Sequence, residues 1–159
     1  MKSKKQFFLV PLVCFIVFLS GGCVKSNTCS PNAPSSEFPQ MLAYASTNGM
    51  TIMADASGLY YEIIDPGSGV TPVLSSKIFI TYTGKLLDGT IIDHQDVPNT
   101  TGLTLSGFIE GWRIGIPLIH KGGHIKLIVP SALAYGCQPY NGLPANSILF
   151  FDIALVDVQ

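Results

Sequence analysis

The stretch KIFITYTGKLLDGTIID, residues 77–93, decides how this sequence is read. Lys77 to Thr83 is rich in β-branched and aromatic residues, which suit a half-buried pleated strand. Asp88-Gly89 is a turn pair that closes hairpins, because the turn needs positive φ and glycine supplies it without strain. Ile91 to Asp93 then resumes a strand, and a hairpin predicts antiparallel pairing. Outward from it, Gly58 to Ile64 is a further strand, followed by the dense turn Asp65-Pro66-Gly67-Ser68-Gly69. A helical turn or two fits Phe108 to Leu118, with Pro117 limiting its length. His124 to Val129 and Ser147 to Val158 supply two more strands. The connections are too short for parallel crossovers, so the class is α+β with an antiparallel sheet.

Before this block, Ser35 or Ser36 followed by Glu37 offers a helix start, and Phe38, Met41, Leu42 and Ala45 recur at helical spacing up to the stop Asn48-Gly49. The short helix reads either as a dimerisation or spacer element or as a helix packed on the domain edge. Val24 to Ser36 is rich in Ser, Asn, Pro and Thr without apolar periodicity, the composition of a flexible tether.

The first residues, Met1-Lys2-Ser3-Lys4-Lys5, are basic and precede an apolar run from Phe7 to Leu19. That is the plan of a secretory signal, and the run is shorter than the about 20 residues a membrane span requires. Ser20-Gly21-Gly22 leads into Cys23, which resembles a bacterial lipobox, although Ser20 stands where a large aliphatic residue is usual. Acylation of Cys23 by two or more chains, palmitate among them, would anchor the protein stably through about 0.8 kcal/mol per buried methylene. The alternative is a plain signal peptide with a free exported cysteine. The expected organisation is a signal peptide over 1–22, a tether over 23–36, a helix and connector over 37–56 and the main domain over 57–159.

The 159 residues are 47% hydrophobic and 12% charged, which is globular rather than disordered. Cleavage before Cys23 removes three of nine basic side chains and leaves six against ten acidic ones. No basic cluster survives to neutralise phosphates, so nucleic acid is not an expected partner. Of four cysteines, Cys14 falls in the signal and Cys23 at the lipobox, leaving Cys29 and Cys137 in an oxidising compartment. A disulfide between them is permitted, not implied.

Several short pieces carry a resemblance. They are Gly58-Leu59-Tyr60-Tyr61, Tyr82-Thr83-Gly84-Lys85-Leu86 with Asp88-Gly89, Ile92-Asp93, and Phe108-Ile109-Glu110-Gly111-Trp112. Further on stand Lys121-Gly122-Gly123, Ile128-Val129-Pro130, Ala132-Leu133-Ala134-Tyr135-Gly136 and Phe151-Asp152-Ile153-Ala154-Leu155. In this order the chain from about Gly58 to Val158 resembles the FKBP-type peptidyl-prolyl cis-trans isomerases, or rotamases, in a bacterial lipoprotein form. The resemblance implies a strongly bent sheet of five to six antiparallel strands wrapped around one short helix. It puts Trp112 at the floor of a pocket, with Tyr82, Ile92, Phe108, Ile109 and Phe151 as walls and Tyr140 and Leu143 on an overhanging loop. Asp93 and the hydroxyls of Tyr82 and Tyr135 are its polar groups by the same resemblance.

The implied activity is rotation about X-Pro bonds during folding of exported proteins, with proline-containing unfolded polypeptides as partners and the family's macrolides as further ligands. No cofactor or metal is called for. The implied location is the cell envelope, on the periplasmic side, with the outer membrane as the expected anchor. Taken singly, Phe108, Ile109, Phe151 and Trp112 read as ordinary core residues, Asp93 as a turn acid and Tyr135 as an exposed turn aromatic. Ile92 departs from the phenylalanine many members carry, Thr101 and Leu103 stand where an aromatic is often found, and no arginine pairs with Asp93. These departures point to reduced activity or altered preference, and keep open a prolyl-peptide-binding or chaperone-like lipoprotein without turnover.

Competing motifs are weak. His120 and His124 have metal-pair spacing, but Gly122-Gly123 between them makes a turn. Gly67-Ser68-Gly69 lacks both the nucleophile-elbow pattern and the third glycine of a dinucleotide site.

Overall fold

The computed structural model describes residues 29–159. The expected signal peptide, Cys14, the lipobox Cys23 and the tether from 23 to 28 lie outside the described residues. The elements are α1 (Pro34–Thr47), β1 (Met53–Ala54), β2 (Tyr60–Asp65), β3 (Lys77–Leu86), β4 (Ile91–Gln95), β5 (Leu103–Thr104), α2 (Glu110–Gly115), β6 (His124–Val129) and β7 (Leu149–Val158). Short 3-10 turns occur at Leu105–Gly107, Ile116–Leu118 and Ser131–Leu133. The strands form one antiparallel sheet in the order β1-β2-β6-β7-β3-β4, with β5 pairing on β3. The α+β class and the bent antiparallel sheet with its short helix are as expected. The two additional strands, β1 and β5, have two residues each, too few to leave an alternating pattern in the sequence.

Side chains alternate across a strand, so neighbouring residues serve opposite faces of the sheet. On the inner face, Phe151, Ile153 and Leu155 of β7 meet Ile125, Leu127 and Val129 of β6, and Trp112 and Ile116 close that core from above. On the outer face, Phe150, Ile128 and Tyr60 are covered by Met41 and Ala45 of α1. Two glycines let α2 lie close to the sheet. A Cβ on Gly111 would stand 2.5 Å from Val129 Cγ1, and one on Gly115 would stand 2.6 Å from Leu127 Cδ2.

α1 begins at Pro34, where fixed φ and a missing N–H suit the first helical position. It stops at Asn48, followed by Gly49 at φ 64°, the left-handed end the sequence predicts. Met41 and Ala45 are buried, while Phe38 and Leu42 stay 42% and 39% exposed. The helix is thus packed on the sheet, the second of the two readings above. Its approach is also fastened: Cys29 and Cys137 form a disulfide with a Cα–Cα distance of 5.6 Å, and Asn32 Nδ2 donates to Glu37 Oε1 at 3.1 Å. Residues 29–36, expected to belong to the flexible tether, are therefore held to the domain, and Pro34 to Ser36 are already helical.

The helical stretch expected over 108–118 is shorter. Phe108 and Ile109 are not helical, α2 spans Glu110–Gly115, and Pro117 sits in the 3-10 turn that ends it. Among the described residues no helix is long and apolar enough to cross a membrane.

Candidate active site

The β3–β4 hairpin supplies the polar edge of the site. Gly84 lies opposite Asp93 and Lys85 opposite Ile91, so Ile92 is the extra residue of a β-bulge. Tyr82, Gly84 and Asp93 share the inner face by strand alternation, and the Tyr82 hydroxyl donates to Asp93 Oδ2 at 2.6 Å. Gly84 also pairs with Phe151 on β7, where a Cβ would come within 2.6 Å of Phe151 Cε1. The bare glycine gives the Phe151 ring its space.

Trp112 stands on α2 at 3% exposure, the centre of an aromatic cluster. Its ring meets Tyr82 and Phe151 edge-on, with centroids 5.0 Å and 5.1 Å away, and stacks on Phe108 at 4.7 Å. Edge-to-face contacts of this kind align the positive rim of one ring with the negative face of another. The buried Trp112 Nε1–H has no protein acceptor among the described residues.

The β6–β7 loop closes the site from above. Tyr135 precedes Gly136, which takes φ 66°, and its ring stacks on Tyr140 with centroids 4.2 Å apart and planes 9° from parallel. Tyr140 and Leu143 exchange backbone hydrogen bonds across Asn141 and Gly142, both at positive φ. This is the tight turn that Asn-Gly favours, a signal in the sequence that finds the turn without any structure.

Together Tyr82, Asp93 and Phe151 from the sheet, Phe108, Ile109 and Trp112 around α2, and Tyr135 and Tyr140 from the loop enclose a cleft of about 230 Å³. Gly107 completes its wall and was not singled out by the sequence; its small size and place in a 3-10 turn leave no distinguishing pattern. Ile92 and Leu143 are not in the lining but half-buried against the inner core. The Ile92 side chain reaches toward Gly84 beneath the cleft.

Burial raises the Tyr82 hydroxyl pKa well above its usual value of 10.0, and the bond to Asp93 adds to the rise. Burial also raises Tyr135, with the neighbouring Tyr140 and Asp93 contributing. Both phenols are therefore protonated donors at neutral pH. Arg113, the one cation on α2, is engaged by Glu110 rather than Asp93. His120 contacts Thr71 Oγ1 at 2.6 Å through Nδ1, and His124 pairs with Asp152, so the two histidines face different partners. The cleft thus offers an apolar floor, a phenol–carboxylate pair on one side and a second phenol on the other, a surface that suits a compact ring flanked by amide carbonyls.

Comparison with known proteins agrees with this geometry. The family model described as FKBP-type peptidyl-prolyl cis-trans isomerase matches residues 69–156. The chain is 38% identical over 109 residues to the FKBP-type peptidyl-prolyl cis-trans isomerase FkpA of Escherichia coli, covering 68% of this chain and 40% of that protein. The crystal structure of that FkpA aligns with a TM-score of 0.69 at 33% identity, covering 79% of this chain and 61% of the other. The outer membrane protein MIP of Legionella longbeachae is 36% identical over 105 residues, 65% of this chain and 45% of that one. A peptidyl-prolyl cis-trans isomerase from Pseudomonas syringae aligns with a TM-score of 0.68 at 26% identity, over 80% of this chain and 93% of that structure. The chain therefore spans less than half the length of the FkpA and MIP sequences it matches. A family model that spans more than half of the chain, laid over the same sheet, helix and cleft, makes this protein a member of the FKBP-type peptidyl-prolyl cis-trans isomerase family.

Proposed function

We propose that this chain accelerates cis–trans rotation about X-Pro bonds in polypeptides folding outside the cytoplasm. The observation that carries the reading is the Trp112 floor flanked by the Tyr82–Asp93 pair and Tyr135. The barrier to rotation, about 18–20 kcal/mol, arises from amide resonance. The twisted transition state has lost that resonance and its charge separation, so a dry aromatic pocket disfavours the planar ground state more than the transition state. In this reading the proline ring rests on Trp112 between Phe108, Ile109 and Phe151. The Tyr135 hydroxyl donates to the peptide carbonyl, and Asp93, held by Tyr82, lies beside the rotating amide. Tyr140 forms the overhang, while Ile92 and Leu143 support the walls from behind. The family's macrolides would compete for the same cleft.

Residues 57–159 are the isomerase unit in this proposal, and Cys23 carries the lipid that places it on the periplasmic side of the envelope. The Cys29–Cys137 disulfide supports an oxidising compartment, and the similarity to an outer membrane protein supports the outer membrane. A second reading, prolyl-peptide binding without turnover, is favoured by Asp93 having no cationic partner among the described residues. The two separate in one assay. The purified chain should speed cis-to-trans conversion of a short X-Pro peptide series, and an Asp93→Leu plus Tyr135→Phe variant of equal folded content should lose at least about tenfold in kcat/KM. Binding without acceleration in the parent chain would establish the second reading instead.

A further inference from the structure

Glu37 is a carboxylate only 3% exposed, on the first turns of α1, and the site described above does not use it. Its Oε2 accepts from the backbone N–H of Ser131 at 2.7 Å, and its Oε1 accepts from the Ser131 hydroxyl at 2.5 Å, across 94 positions of sequence. Asn32 Nδ2 donates to the same Oε1 at 3.1 Å. Buried carboxylates are costly unless fully hydrogen-bonded, and charge-assisted bonds of this kind are among the stronger ones. Ser131, itself wholly buried, is the node of the loop above the cleft: its carbonyl accepts from Ala134 N at 3.1 Å and from Gly136 N at 2.8 Å. Those two residues flank Tyr135. One carboxylate on α1 therefore holds the donor end of Ser131, and the acceptor end of Ser131 holds the peptide units on either side of a cleft phenol.

The same loop is gripped a second time. The disulfide joins Cys137 to Cys29, and Pro31 lies against Gly136, 3.5 Å from where a Cβ would stand. Two fastenings of different chemistry, one hydrogen-bonded and one covalent, thus run from residues 29–37 to residues 131–137 on either side of Tyr135.

We infer that Glu37 is a positioning residue of the isomerase site, acting through Ser131 to set the Tyr135 ring, and that α1 belongs to the site's scaffold rather than to a spacer. The inference rests on the isomerase reading proposed above. A displacement of about 1 Å at a reacting group is enough to cost up to about a hundredfold in rate. With the disulfide still in place to limit the displacement, Glu37→Ala is expected to lower kcat/KM for X-Pro peptides by about tenfold. The loss should fall in kcat more than in KM, because the Trp112 floor that binds the ring is untouched. Glu37→Gln keeps one carbonyl acceptor for the Ser131 N–H and should recover part of the rate.

The control is Met41→Ala, one turn further along the same face of α1, which removes buried contacts with the outer cluster but leaves Glu37 and Ser131 alone. All variants are compared per folded molecule on the full chain, with ring resonances of Tyr135, assigned through Tyr135→Phe, as a second readout independent of rate. The inference predicts reduced kcat and shifted Tyr135 resonances in Glu37→Ala, with neither change in Met41→Ala. A parental kcat in folded Glu37→Ala, or equal losses in Met41→Ala, overturns it. If the parent chain itself shows no acceleration, the isomerase reading fails, and the resonances alone then decide the linkage: unmoved Tyr135 signals in Glu37→Ala overturn that too.

Discussion

The two faces of the sheet are built from alternate residues of the same strands yet do different things. The inner face collects Trp112, Phe151 and Tyr82 with a glycine opposite them, and keeps a concave surface open beside a carboxylate. The outer face puts Phe150, Ile128 and Tyr60 under α1 and closes over them. The difference lies in what covers each layer. α2 has six residues and lies close on two glycines, too short to roof the whole inner face, while α1 has fourteen and lays Met41 and Ala45 across the Tyr60, Ile128 and Phe150 part of the outer one. A cleft is what remains where a cover stops short.

The sharpest way to break this distinction uses two adjacent residues of β6. Leu127 and Ile128 are both fully buried but serve opposite faces. Replacing either with alanine should cost about 2–5 kcal/mol in urea denaturation. Trp112 emission should shift for Leu127→Ala and stay at the parental wavelength for Ile128→Ala; equal shifts would mean that the two layers are not independent. Next in size is the covalent fastening of the outer segment. The disulfide closes a sequence separation of 108 residues. Cys29→Ser with Cys137→Ser should lower stability by about 2–4 kcal/mol. A loss under about 1 kcal/mol would show that Glu37 and the α1 packing already restrain the segment.

The smallest effect belongs to the phenols. Tyr82 has its pKa raised in the folded state, so the folded protein holds that proton more tightly than the unfolded chain does. Its contribution is fully present below the unfolded value of about 10 and is lost as pH rises above it. Chemical-denaturation midpoints measured from pH 7 to alkaline pH should therefore hold level on this account until about pH 10 and then fall. Tyr82→Phe should make the fall shallower, and an unchanged slope would assign it to other groups.

What the sequence disclosed follows from how far apart the cooperating residues lie. The hairpin around Asp88-Gly89, the capping stop at Asn48-Gly49 and the β-branched runs at residues 77–83 and 124–129 are local signals, and local chemistry settles them. The aromatic set of the cleft was legible only as a collinear group, because each ring alone has the look of ordinary core. The disulfide and the Glu37–Ser131 contact span 108 and 94 positions, and no local pattern announces either partner. Glu37 in particular carries the ordinary sequence mark of an acidic residue in a first helical turn, and only the fold turns it inward. The bulge at Ile92 is a property of register, which depends on the partner strand as much as on the residue itself.

β7 pairs with β6 on one edge and β3 on the other, and it contributes to both buried layers. A chain that emerges N-terminus first therefore has every other strand of the described residues available before it has the one that joins them. Until residues 149–158 arrive, β2 with β6 and β3 with β4 are separate hairpin-like ribbons, marginal in water on their own. Assembly then waits on contacts between distant parts of the chain, a topology for which slow folding is expected. During that wait the unpaired edges of β3 and β6 are open to pairing with other strands.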